Sequence, residues 1–262
     1  MTEHETQTTF VMLKPDAVER GIEAEVLEMF ARFGLRPEGR VERRLTVSDV
    51  AALDHEDGRH RNPVQFAVNC DYLTRSPVVG WRMTGPGALG VALTVKALVR
   101  QRYGDSDLAN LMHAAEDAWE ADSQIKMFAQ GPAPVSAPYA DTDPAVHRMA
   151  AEVLASPDVP PVAGGVTGDE GFGVILHDDG CQYLDDVIKG LQGGLPGLPF
   201  ERAAAMAIAV KVRRDLEVFT GTAAEAATAL LDLDGQGLPV LLREPRGGAA
   251  AAASQTARGT VP

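Results

Sequence analysis

Apolar positions along the chain fall into short blocks whose period switches between two and nearly four. Thr9-Phe10-Val11-Met12-Leu13 is short, apolar and rich in β-favouring types, which predicts a buried strand. Lys14-Pro15-Asp16 ends it, because Pro15 has no amide proton for a ladder, and Asp16 is suited to cap a following helix. Across 18–33, Ile22, Val26, Leu27, Phe30 and Ala31 recur at helical spacing, and Gly34 is a fitting stop. Residues 41–45 alternate apolar with charged, as a half-buried strand does. Polar helical stretches follow at 47–54 and 63–74, then a strand at 77–83, a helix at 88–103, the short apolar run Asn110-Leu111-Met112-His113 and a closing helix at 117–128. This order suits an antiparallel sheet covered by helices on one face.

The pattern breaks after Phe128. Gly131 to Pro138 is rich in Pro and Ala and reads as a stiff linker. A helix at 144–155 and a second Pro/Gly-rich stretch at 156–168 come next. Order resumes with a strand at 171–176, helices at 183–191 and 200–212, a strand at 217–219, a helix at 222–233 and a strand at 239–242. Thr222 with Glu225 three residues on forms a capping-box signature. The expected division is therefore 1–130, a linker at 131–169, a second domain at 170–245 and a disordered tail at 246–262.

Composition narrows the functional classes. With 45% hydrophobic and 23% charged residues, each half can build a packed core. A formal net charge of −13 argues against non-specific binding to nucleic acid or anionic membrane, yet permits a nucleotide held by a few local cations. Cys70 and Cys181 are far apart, so neither a disulfide framework nor a cysteine zinc site is expected. The acidic start lacks a signal-peptide pattern and no apolar run is long enough to span a membrane, so the expectation is a soluble cytoplasmic protein. His55, His60 and His147 lie in polar stretches and read as surface residues.

Residues 8–128 resemble the nucleoside diphosphate kinases. The opening strand with Lys14-Pro15-Asp16 and Arg20-Gly21, the strand Ser76-Pro77-Val78-Val79, and Asn110-Leu111-Met112-His113 match that family's motifs in order. The resemblance implies a ferredoxin-like antiparallel sheet with helices, an α/β fold of the α+β type. It implies ATP or another nucleoside triphosphate as substrate, with Mg²⁺ bound through the phosphates. His113 would be the phosphorylated nucleophile, Lys14 the γ-phosphate contact, Asn110 the sugar contact and Arg100 a phosphate contact, with Arg102 as its alternative. A neutral imidazole can take a phosphoryl group near pH 7, splitting one transfer into two.

The departures are equally specific. The family's Gly-Ser-Asp after the histidine is Ala114-Ala115-Glu116 here, and its orienting glutamate falls on Gln124. The stretch from Gly87 to Arg100 is shorter than the family's and lacks a segment carrying another phosphate-binding arginine, a threonine and the start of a loop that packs trimers. A homo-oligomer is compatible with the resemblance, whereas the hexamer is argued against.

Residues 170–244 resemble ClpS, the adaptor that hands N-degron substrates to Clp proteases, through Gly173-Val174-Ile175-Leu176-His177-Asp178-Asp179 and the elements downstream. The resemblance implies a small α/β domain and a peptide or protein ligand, with Asp178 and Asp179 as acceptors for a peptide ammonium. The family's helix histidine falls on Lys211, a cation facing where the ligand's cation would sit. Two functions follow: a phosphotransferase working through His113, or a catalytically impaired kinase fold serving with the second domain as a binding module.

Overall fold

The computed structural model describes residues 6–53, 63–104, 108–130, 144–180 and 182–245. The chain divides into two compact units, 1–151 and 152–262. In the first, β1 (Thr6–Leu13) leads into the short α1 (Pro15–Glu19) and α2 (Glu23–Arg32), then β2 (Arg36–Arg43), α3 (Val47–Leu53), α4 (Pro63–Thr74), β3 (Val78–Pro86), α5 (Ala88–Tyr103), β4 (Met112–Ala114) and α6 (Ala118–Gln130). The four strands form one antiparallel sheet in the order β2-β3-β1-β4, the ferredoxin-like arrangement expected from the sequence. A further helix, α7 (Pro144–Ala155), runs across the boundary between the units.

Helices cover both faces of this sheet, which corrects the expectation of a single covered face. Val11 and Leu13 of β1 join one core with Val26, Phe30, Val95 and Val99 of α2 and α5. Phe10 and Met12 join the other with Val50, Phe66, Met127 and Phe128 of α3, α4 and α6. A central strand buried on both sides must be apolar at consecutive positions, which is why β1 does not alternate. Gly80 on β3 is required by this packing, because a β-carbon there would stand 2.7 Å from the Phe128 ring. The glycine lets Phe128 reach Phe10, with ring centroids 4.7 Å apart, and so seats α6 close to the sheet.

Other sequence expectations shift in detail. The helix expected across 18–33 is two helices, interrupted around Gly21 at φ +67°, a conformation that favours glycine. Asp16 makes no cap: Lys14 is the residue before α1, Pro15 takes its first position, and Asp16 is buried elsewhere in the packing. The second strand starts earlier than the alternation suggested, because a bulge between Glu38 and Val41 breaks the period. Although α4 reads as polar, its Val64, Phe66, Ala67, Val68, Cys70, Tyr72 and Leu73 are all buried. His147 packs edge-on against Phe66 rather than standing alone at the surface, with centroids 6.3 Å apart. His55, His60, the 131–138 linker and the tail lie outside the described residues.

The second unit contains β5 (Val162–Ala163), β6 (Phe172–His177), α8 (Leu184–Gly194), α9 (Phe200–Arg213), β7 (Asp215–Gly221), α10 (Ala223–Gly235) and β8 (Val240–Arg243). Its sheet runs β5-β7-β6-β8, with only the β5–β7 pair parallel. The short β5 falls within the Pro/Gly-rich stretch, where no strand was expected; it pairs along β7, an interaction invisible in its own two residues. The capping box at Thr222 and Glu225 is formed as read from the sequence. Among the described residues, no helix is long and apolar enough to cross a membrane.

Candidate phosphate-handling site

The residues singled out in the first half come together at the β4 edge of the sheet. Pairing of β4 with β1 sets His113 opposite Met12. Where β1 ends, the Lys14 amide donates to the Leu111 carbonyl at 2.8 Å, and the Lys14 ammonium donates to Asn110 Oδ1 at 2.7 Å. Pro15 stops the strand at this point, so Lys14 is delivered beside the 110–113 segment instead of continuing along the sheet. Leu111 holds φ +69° although fully buried, and the Met112 amide donates to the Asn110 carbonyl at 2.8 Å across it. That γ-turn is a strained conformation for a branched residue. The buried Asp16 secures it, since its Oδ2 accepts from the Leu111 amide at 3.1 Å.

Three cations gather around this turn. Lys96 and Arg100 are one turn apart on α5 and therefore share a face. Arg100 donates to the Met112 carbonyl at 3.1 Å, and Lys96 lies 3.5 Å from a Glu116 carboxylate oxygen. Burial, together with the charges of Arg100 and Lys96 and against the pull of Asp16, pushes the Lys14 ammonium down to about 7. Burial and Arg100 also lower Lys96, Glu116 opposing them. Tyr72 of α4 completes the wall, its ring centroid 5.7 Å from Lys14 Nζ and 4.8 Å from Arg75 Cζ. Arg102 stacks over Tyr103, 5.1 Å from its ring centroid, and belongs to a different face of α5.

Behind His113 stands the first turn of α6. Asp117 caps that helix, its Oδ1 accepting from the amides of Trp119 and Glu120 at 2.8 Å each. His113 Nε2 is 2.9 Å from Gln124 Oε1, the partner read from the sequence. Sequence reasoning missed Glu120, whose Oε1 lies 3.4 Å from the same ring nitrogen and accepts from Gln124 Nε2 at 2.6 Å. Burial alone would raise the Glu120 carboxyl, but the His113 ring 3.4 Å away and hydrogen bonds from the Glu116 amide and Gln124 bring it below its ordinary value. Lys96 was missed as well. Both belong to i,i+4 pairs, with Arg100 and Gln124, and that spacing was the available signal.

In the second unit, Lys211 of α9 donates to Asp178 Oδ1 at 2.6 Å. Their side chains are 11% and 4% exposed, so this is a largely buried pair. Asp179 is exposed at the surface beside it.

The site thus holds an imidazole at a sheet edge between an amide and a carboxylate, on a segment about which three cations gather. Comparison with known proteins gives the family. Residues 7–131 match the family model described as nucleoside diphosphate kinase. The chain is 30% identical over 132 residues to the nucleoside diphosphate kinase of Archaeoglobus fulgidus, an alignment covering 47% of this chain and 85% of that protein. A Clostridium perfringens nucleoside diphosphate kinase is also 30% identical, with 47% and 90% covered. Among solved structures, a nucleoside diphosphate kinase family protein from Babesia bovis aligns at TM-score 0.40 and 24% identity, covering 47% of this chain and 87% of that one. Through its first unit, the chain belongs to the nucleoside diphosphate kinase family.

Proposed function

We propose that the first unit transfers the γ-phosphoryl group of ATP or another nucleoside triphosphate through a phosphohistidine at His113. The observation that carries this reading is the gathering of Lys14, Lys96 and Arg100 about the 110–113 segment that carries His113, three cations on a chain whose net charge is −13. The His113 Nδ1 lone pair attacks the γ-phosphorus, an N–P bond forms, and the bond to the β–γ bridging oxygen breaks as the nucleoside diphosphate leaves. The second half reverses this toward an acceptor, either another diphosphate or a different nucleophile admitted by the altered pocket.

Lys14, Lys96 and Arg100 offset the charge on the phosphate oxygens, so Lys96 supplies part of what the shortened segment before Arg100 lacks. Asn110 contacts the sugar by the family resemblance. Mg²⁺ arrives with the triphosphate, as in that resemblance; among the described residues, no group of three or more His, Cys, Asp or Glu is arranged to hold a metal ion.

Within the same proposal, the ClpS-like second unit serves recognition of a protein ligand or assembly, not capture of peptide amino termini. A ligand ammonium would meet an Asp178 carboxylate that Lys211 already neutralises.

Incubation with γ-labelled ATP and Mg²⁺ tests the central claim. Wild-type protein is expected to take up acid-labile label, and His113→Ala to take up none. Persistence of label in His113→Ala would remove His113 from the role, and an unlabelled wild type would favour the binding-module alternative.

A further inference from the structure

Glu120 is 8% exposed and stands one helical turn before Gln124 on α6. Its Oε2 accepts from the Glu116 amide at 2.6 Å, while Oε1 accepts from Gln124 Nε2 at 2.6 Å. A carboxylate has only acceptors, so it turns the NH₂ end of Gln124 toward itself and the carbonyl end toward His113. An amide oxygen 2.9 Å from Nε2 accepts from it, so Nε2 keeps the ring proton and Nδ1 keeps the lone pair. Without a neighbour that can only accept, the two ends of a glutamine amide are interchangeable and the ring loses that direction.

We propose that Glu120 is the positioning residue of this site: acting through Gln124, it fixes His113 as the Nε2–H tautomer and faces the charge gained when Nδ1 takes a phosphoryl group. The inference rests on the phosphohistidine reading above. It also accounts for a glutamine at position 124: the negative charge has moved one turn along the helix and reaches the ring through the amide. Among the described residues, the charged groups gathered about the segment that carries His113 include Glu120 on α6, Lys96 and Arg100 on α5, Lys14 at the end of β1 and Glu116 just after β4. Glu120 is the acidic group 3.4 Å from Nε2, while Glu116 lies beside Lys96.

Glu120→Gln in the full chain separates this role from a structural one. A glutamine can still accept from the Glu116 amide, so the start of α6 keeps its closure and only the charge and the fixed amide direction are lost. ¹⁵N spectra of histidine-labelled protein at about pH 8, where an ordinary imidazole is neutral, are expected to show the Nε2–H form in wild type. Both tautomers are expected in the variant. A wild-type ring protonated at Nδ1, or a spectrum that Glu120→Gln leaves unchanged, overturns the proposal whether or not the protein takes phosphate.

In single-turnover labelling, Glu120→Gln should slow phosphorylation of His113 by roughly 10–100-fold, as orienting partners of functional histidines do. The ATP concentration for half-maximal rate should stay unchanged, and E120Q/Q124E should recover most of the loss. Full-rate labelling in Glu120→Gln overturns the proposal. A wild type that shows the Nε2–H form yet takes no label overturns the phosphotransfer reading alone.

Discussion

At Lys14 the backbone, the burial and the chemistry meet in one side chain. Pro15 ends the strand, the ammonium is drawn to Asn110, and burial beside Arg100 and Lys96 pushes it down to about 7. A lysine lowered in this way is protonated below that value and neutral above it. A bound triphosphate favours the charged form, so binding above pH 7 must take up a proton, and affinity must fall as pH rises through the Lys14 value. Calorimetry with Mg·ATP in buffers of different ionisation enthalpy should register an uptake approaching one proton at about pH 8.5 and much less at about pH 6.5. Lys14→Met should abolish the difference; an uptake that survives this change would assign the proton elsewhere.

At the scale of elements, α5 and α6 each present two polar side chains one turn apart at the candidate site. Lys96 with Arg100 makes a cationic face, and Glu120 with Gln124 supports the histidine. Loss of one charged hydrogen-bonding partner of a phosphate costs about 1.5–3 kcal/mol. Lys96→Ala should therefore raise the half-saturating ATP concentration by roughly 10–100-fold while leaving the tautomer of His113 unaltered. An unchanged half-saturation would place Lys96 outside the phosphate contacts.

Much of this was legible in the chain. His113, Lys14 and Asn110 stood in recognisable motifs, and Gln124 followed at a recognisable distance. Lys96 and Glu120 were not seen, because each looks like one more charge on a helix whose outward face carries several. Only the placement of α5 and α6 against the sheet sorts the inward charge from the solvated ones. The bulge in β2 and the break at Gly21 escaped for a similar reason: a one-residue change of phase is too small to disturb a hydrophobic average.

At the scale of the whole molecule, the chain divides into units 1–151 and 152–262, each with a sheet of its own. The Lys211–Asp178 pair belongs to the second alone. Lys211→Ala leaves a largely buried carboxylate without its counter-charge and should cost that unit about 3 kcal/mol, read as an earlier unfolding transition. Label uptake at His113 below that transition should not change. A parallel loss of labelling would show that the two units are energetically coupled.

The sequence by itself determined the family of the first unit and the strand-helix grammar of both halves, and it named Lys14, Asn110, His113 and Gln124 as candidates that belong together. These are local properties: periodicity, a proline that ends a strand, and short motifs in order. Tertiary structure alone decided that both faces of the first sheet are covered and that Lys96 joins Lys14 and Arg100. It also decided that Glu120 reaches His113 through Gln124, and that Lys211 closes on Asp178. The reason is physical. Hydrogen bonds and ion pairs between distant residues depend on helix rotation and sheet register, which are set by how large side chains such as Phe10 and Phe128 fill the core.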